Sequence, residues 1–201
     1  MDTPIGLPNI GATCYFNSVR QALLSCPSYY KSYKEYSFED FMSKHVCKYA
    51  LGQPYDSHDC LMDIESGDLL YGENTCEYIF PNGKEETKEK RGSFMLYGDF
   101  SKLMEDTFTC DSFREFHIGI ITKRCTTLPQ IVTIKNVLRE HIEVPTEFQG
   151  KQLRAILYYV PGHYFAYVLR GQDWYIIDDD RIVKLNPDQH ITHPPDIMFY
   201  E

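Results

Sequence analysis

No Cys-x-x-Cys pair occurs anywhere in the 201 residues, although there are seven cysteines, at positions 14, 26, 47, 60, 76, 110 and 125. A tetrahedral zinc site of ordinary ligand spacing is therefore not expected, and no metal or organic cofactor is assigned. No apolar run approaches the length of a membrane span, and Met1-Asp2-Thr3-Pro4 lacks the pattern of a secretory leader. An odd cysteine count without a leader points to a reducing compartment, so a cytoplasmic location is expected. Basic charge is in deficit: 20 Lys and Arg stand against 29 Asp and Glu, a net charge of −9. That balance argues against a nucleic-acid partner and suits a basic protein partner. No internal repeat and no long linker interrupt the chain, and 43% hydrophobic residues suffice for a full core. One domain over residues 1–201 is expected.

The richest stretch is Gly6-Leu7-Pro8-Asn9-Ile10-Gly11-Ala12-Thr13-Cys14-Tyr15-Phe16-Asn17-Ser18. Glycine and proline keep the chain irregular up to Thr13, which can cap a helix. Beyond it, Phe16, Val19, Ala22 and Leu23 recur at helical spacing, and Ser25-Cys26-Pro27 ends the pattern. Cys14 then falls in a first turn, where unpaired amides and the helix dipole are expected to depress its pKa below the usual ~8.5.

Far downstream, Tyr158-Tyr159-Val160-Pro161-Gly162-His163-Tyr164-Phe165-Ala166-Tyr167-Val168 reads as two strands joined at Pro-Gly. A further strand from Trp174 to Ile177 runs into Asp178-Asp179-Asp180, and antiparallel pairing through residues 170–173 sets Asp178 near His163. A thiol, a later imidazole and a carboxylate to orient it form the set that thiol hydrolases use.

These segments resemble the ubiquitin-specific proteases. The first box of that family is similar to residues 6–18 here, and its last box to Gly162-His163-Tyr164-x-Ala166-Tyr167-Val168 followed by Trp174-Tyr175-x-x-Asp178-Asp179. Asp56-Ser57-His58-Asp59-Cys60-Leu61 resembles the family's Asp-Ala-x-Glu-Phe-Leu segment, and Leu128 to Lys135 its Leu-Pro-x-x-Leu-x-Ile strand. The resemblance implies Cys14 as nucleophile, His163 as general base, Asp178 as the orienting carboxylate and Asn9 as side-chain oxyanion donor. Asp179 matches an auxiliary acidic position. Gly162, Tyr164, Tyr159 and Asp59 are the implied substrate contacts, the aromatics forming a tunnel too narrow for anything but a Gly-Gly tail. The implied fold is α+β and papain-like, with a helical thumb over 1–75 and a β-rich palm over 76–201.

The implied activity is that of a cysteine endopeptidase and isopeptidase, a deubiquitinase cutting after the terminal glycine of ubiquitin or of a ubiquitin-like protein such as an interferon-induced modifier. The short chain and missing zinc fingers also resemble an economical viral papain-like protease, working in host cytoplasm and cutting a viral polyprotein. A non-enzymatic ubiquitin-binding module and a Cys-His-Asp acyltransferase are the alternatives. Helices are expected over 14–25, 38–51 and 57–70. A hairpin over 78–97 carries the charged run 84–91 as a solvated tip, and strands follow at 116–122, 130–135, 154–159, 165–169 and 174–177.

Overall fold

The computed structural model of the protein describes residues 3–37, 40, 56–64, 67–79, 83–93, 95–97, 109–115, 118–186 and 191–201. Helix α1 spans Cys14–Leu23, α2 Pro27–Tyr33 and α3 Ser57–Asp63, followed by a 3-10 turn at Gly67–Leu70. Twelve strands follow among the described residues: β1 Tyr71–Ile79, β2 Glu85–Ser93, β3 Met95–Tyr97, β4 Thr109–Glu115, β5 Ile118–Thr127 and β6 Val132–Lys135, then β7 Glu147–Phe148, β8 Lys151–Val160, β9 His163–Arg170, β10 Asp173–Asp178, β11 Arg181–Lys184 and β12 Pro195–Tyr200.

Two sheets result. The larger runs β11-β10-β9-β8-β12-β6-β3, with β7 joined to β8; the smaller is a four-stranded sheet, β2-β1-β5-β4. In the larger sheet, β8 to β10 form a meander whose register pairs Val160 with His163 and Ile177 with Ala166. Along β9, buried and half-buried residues alternate, as a strand with one face on a core requires. That core is α1 itself, which packs across β8, β9 and β10 and against α3. All ten residues of α1 are buried, so its polar side chains must find partners within the fold. The Arg20 Nη2 donates to the Tyr36 carbonyl at 2.6 Å and the Gln21 amide to that of Ile5 at 2.6 Å.

Several expectations need correction. The helix over 57–70 stops at Asp63, because Ile64 is extended, and only a 3-10 turn resumes at Gly67. The charged run 84–91 is no tip: most of it is strand β2, in continuous antiparallel register with β1 from Tyr71↔Ser93 to Ile79↔Glu85. Met95–Tyr97 does not close that hairpin but pairs parallel to β6 in the other sheet. Where a hairpin over 78–97 and a strand at 116–122 were expected, the described residues form a separate four-stranded sheet, and strand character begins at Tyr71 inside the expected thumb. The helix expected over 38–51 lies, Asp40 excepted, outside the described residues, as does Cys47. Cys14, Cys26 and Cys60 are buried free thiols.

Candidate active site

Cys14 opens α1, with Thr13 before it at the N-cap position. Thr13 does not cap with its side chain. Its hydroxyl instead faces the preceding loop, accepting from the Ile10 amide at 3.2 Å. Gly11 and Ala12 both take positive φ (104° and 56°), a strained approach for a residue with a β-carbon, and it brings the chain into the helix.

The expected depression of the Cys14 pKa is also corrected. Burial, the largest cause, pushes the thiol up and Asp179 adds to it, while the backbone amides of Tyr164, Tyr15 and Cys14 act in the opposite direction. The helix start does supply donors, as expected, but Cys14 is only 8% exposed and its thiol loses more hydration than those donors restore. The Tyr164 amide is among the groups acting on the sulfur, so the thiol lies near the start of β9, the strand that His163 opens.

His163 Nε2 lies 2.5 Å from Asp178 Oδ1. With Asp178 ionised, Nε2 carries the proton and Nδ1 is left as the acceptor on the other side of the ring. Asp179 is differently engaged. Its Oδ2 accepts from Asn9 Nδ2 at 2.9 Å, and its Oδ1 from Asn17 Nδ2 at 2.7 Å. Its carbonyl also accepts from the Leu7 amide at 3.0 Å, so the turn after β10 is tied to the segment leading into α1. Asn9 Oδ1 in turn accepts from the amides of Gly11 (3.2 Å) and Thr13 (3.1 Å). The neighbouring aspartates thus divide the work: one holds the imidazole, the other holds Asn9.

His163, Asp178 and Asp179 offer ligand atoms within 4.8 Å of one another, the one such group among the described residues. Its oxygens are engaged by the imidazole and two amides, so these donors fit an orienting network better than a metal.

A cavity of about 250 Å³ adjoins Cys14, lined in part by Tyr159, Gly162 and Tyr164. Three of the four expected substrate contacts are therefore brought together. Asp59 is not; it is exposed and pairs with His58 at 3.2 Å. Asp56 lines the cavity in its place, capping α3 through the His58 amide at 2.7 Å. Burial raises the Asp56 pKa, but that hydrogen bond, Lys135 and the Tyr164 hydroxyl together hold it below the usual range. Tyr158 points the other way, buried and stacked on Phe165.

Sequence reasoning assigned no role to Asp56, Asn17 or Arg139. The Asp-Ser pair ahead of an apolar run is a legible cap for Asp56. Nothing local marks Arg139, which reaches the cavity only through the fold.

No family model and no curated protein matches the chain. Solved structures do. A chain of the SAGA deubiquitinating (DUB) module bound to monoubiquitin aligns over 98% of this chain and 68% of its own length, with a TM-score of 0.66 and 14% identity. The Ubp8/Sgf11/Sus1/Sgf73 module bound to ubiquitin aldehyde gives 98%, 69%, 0.63 and 13% in the same order. The yeast module carrying an Sgf73 variant gives 98%, 68%, 0.67 and 14%. At such identity the likeness is one of architecture, and it supports for this chain a ubiquitin-specific-protease-like fold.

Proposed function

We propose that the chain is a thiol-dependent deubiquitinase, hydrolysing the bond after the C-terminal glycine of ubiquitin or a ubiquitin-like modifier. One observation carries this reading: Cys14 opens α1 on a cavity that Gly162 and Tyr164 also line, the residue between those two is the Asp178-held His163, and the Asp179-held Asn9 lies on the segment leading into α1. The fold likeness to a chain of a ubiquitin-bound module supports it independently.

His163 Nδ1 takes the thiol proton as Cys14 Sγ attacks the glycine carbonyl. The resulting oxyanion is met by the Cys14 amide and the second N–H of Asn9 Nδ2, whose first is engaged by Asp179. His163 then protonates the leaving amine, and the C–N bond breaks to give a thioester. Water, deprotonated by His163, attacks that thioester and releases the carboxylate and the thiol. Because burial disfavours the thiolate, proton transfer to His163 and attack are closely coupled.

The tunnel beside Tyr159, Gly162 and Tyr164 suits a tail without side chains. A polyprotein junction ending in small residues would meet the same requirement.

The test is release of a fluorophore from the ubiquitin C-terminus. Turnover is expected from the parent and none from Cys14→Ala or His163→Ala, while Asn9→Ala should lower kcat by about 100- to 1,000-fold. No turnover from a folded parent, on ubiquitin or on ubiquitin-like substrates, would sink the reading.

A further inference from the structure

Three residues along α1 from Cys14 stands Asn17, a polar side chain only 2% exposed. Its amide is used from one side. Nδ2 donates to Asp179 Oδ1 at 2.7 Å and reaches the carbonyls of Pro8 at 3.3 Å and Leu7 at 3.4 Å, while Oδ1 meets no hydrogen-bond partner among the described residues. The orientation is not interchangeable: turned over, the amide would aim its oxygen at a carboxylate and two carbonyls. A buried acceptor left unmatched is costly. Gln21, one turn further on, avoids that cost, since its Nε2 donates to the Ile5 carbonyl at 2.6 Å and its Oε1 accepts from Arg170 at 3.4 Å. Asn17 therefore owes its place to what it donates to.

Its shortest contact is Asp179, whose two oxygens take one side-chain amide each: Oδ1 that of Asn17, and Oδ2 that of Asn9 at 2.9 Å. Asn9 is exposed, so packing does not fix its amide. Its Oδ1 is held by the amides of Gly11 and Thr13, and its Nδ2 by Asp179. A chain of contacts thus runs from the buried face of α1, through Asp179, to the side chain read as oxyanion donor. Cys14 opens that same helix, so nucleophile and donor are both referred to one rigid element.

We propose that Asn17 is a positioning residue for the oxyanion donor, setting Asp179 through Oδ1 so that Oδ2 fixes the plane of the Asn9 amide. This rests on the reading of Cys14 as nucleophile and Asn9 as donor. Asn17 touches no substrate; it acts on turnover, not on binding. Without it the Asp179 carboxylate is free to rotate and carries the Asn9 N–H away from the place where the oxyanion forms. A displacement of about 1 Å at such a point costs on the order of 100-fold in rate.

The test reads Asn9 directly and through turnover. In protein labelled with nitrogen-15, the Asn9 side-chain amide signal is identified by its loss in Asn9→Ala. In Asn17→Leu that signal is expected to move toward the position of a free amide. On ubiquitin bearing a C-terminal fluorophore, the same variant should lower kcat by about 10- to 100-fold and leave KM and Cys14 alkylation by iodoacetamide near the parent's. Added to Asn9→Ala it should cost less than about twofold more, because its effect passes through Asn9. Asn17→Ala, which cannot clash, repeats both readings where leucine does not fit. An unmoved Asn9 signal in a folded Asn17 variant would overturn the proposal. So would a fall in melting temperature with kcat unchanged, or a full loss repeated on top of Asn9→Ala. A shifted Asn9 signal in a chain whose parent does not turn over ubiquitin refutes the deubiquitinase reading alone. Turnover by the parent with an unmoved signal in the variants refutes the positioning role alone.

Discussion

Cys14 sits where free helix amides favour a thiolate, yet burial outweighs them and the neighbouring Asp179 carboxylate adds to the rise. The sign has a direct consequence. A thiol held above its usual ~8.5 is neutral at pH 7 and ionises only as pH climbs past that value. Alkylation of Cys14 by iodoacetamide, followed by mass spectrometry, should therefore keep rising through pH 9. A plateau reached below neutrality would show a preformed thiolate and contradict the account. At this scale the sequence pointed to Cys14, His163, Asp178 and Asn9; in the structure Cys14 opens α1, and His163 opens β9 with its imidazole on Asp178. The resemblance set Asp178 on the imidazole and Asp179 in an auxiliary place; what it did not reveal was that Asp179 holds Asn9 and Asn17. Adjacent residues at a strand end point to different sides, and only the turn after β10 decides what each side meets.

Among the elements, the strap of residues 6–9 governs the site most. It is pinned to the 178–180 turn by the Leu7 amide and by Asp179, and Gly6 lies so close that an added β-carbon would stand 2.5 Å from the Asp180 carbonyl oxygen. Backbone cannot yield as a flexible side chain does, so Gly6→Ala must lift the strap. The expected result is a loss of roughly 1–3 kcal/mol in stability and a drop in turnover larger than any change in Cys14 alkylation, because Asn9 moves while the thiol stays. Unchanged turnover in calorimetrically normal Gly6→Ala protein would contradict this role. The strands around His163 were legible because aromatic and aliphatic runs flank Pro161-Gly162, and along β9 buried and half-buried residues alternate. β2 was not, since Glu85-Glu86-Thr87-Lys88-Glu89-Lys90-Arg91 is polar throughout and has no period to read. Its strand state follows from pairing with β1, a tertiary fact. The early end of α3 was hidden for the opposite reason: apolar residues continue through Ile64, Leu69 and Leu70, but the helix breaks at Ile64 and the two leucines pack from the 3-10 turn.

Over the whole molecule, the core is rich in groups that can lose a proton only in the unfolded chain. Burial raises the Cys26 thiol and the Tyr29, Tyr164 and Tyr200 phenols far above their usual range, and pushes Tyr158 to about 12. Each raised group contributes stability that is complete below its unfolded pKa and is lost as pH rises toward the folded one. The unfolded values are ~8.5 for cysteine and ~10 for tyrosine, so the melting temperature should fall from about pH 9 upward and steepen beyond pH 10. A melting temperature level from pH 7 to 11 would show these groups to be hydrated. The overall class, helices early and sheet late, was readable from element order. The second sheet was not, because long-range pairing of polar strands leaves little trace in local pattern.

The central claim is that Cys14 is the nucleophile for the ubiquitin tail. The most direct measurement is the intact mass of the protein after exposure to ubiquitin carrying a C-terminal thiol-reactive group. The account predicts one ubiquitin added per chain, the bond mapped to Cys14, none added in Cys14→Ser and far slower addition in His163→Ala. Addition at Cys26 or Cys60, or equal addition with and without His163, would contradict it.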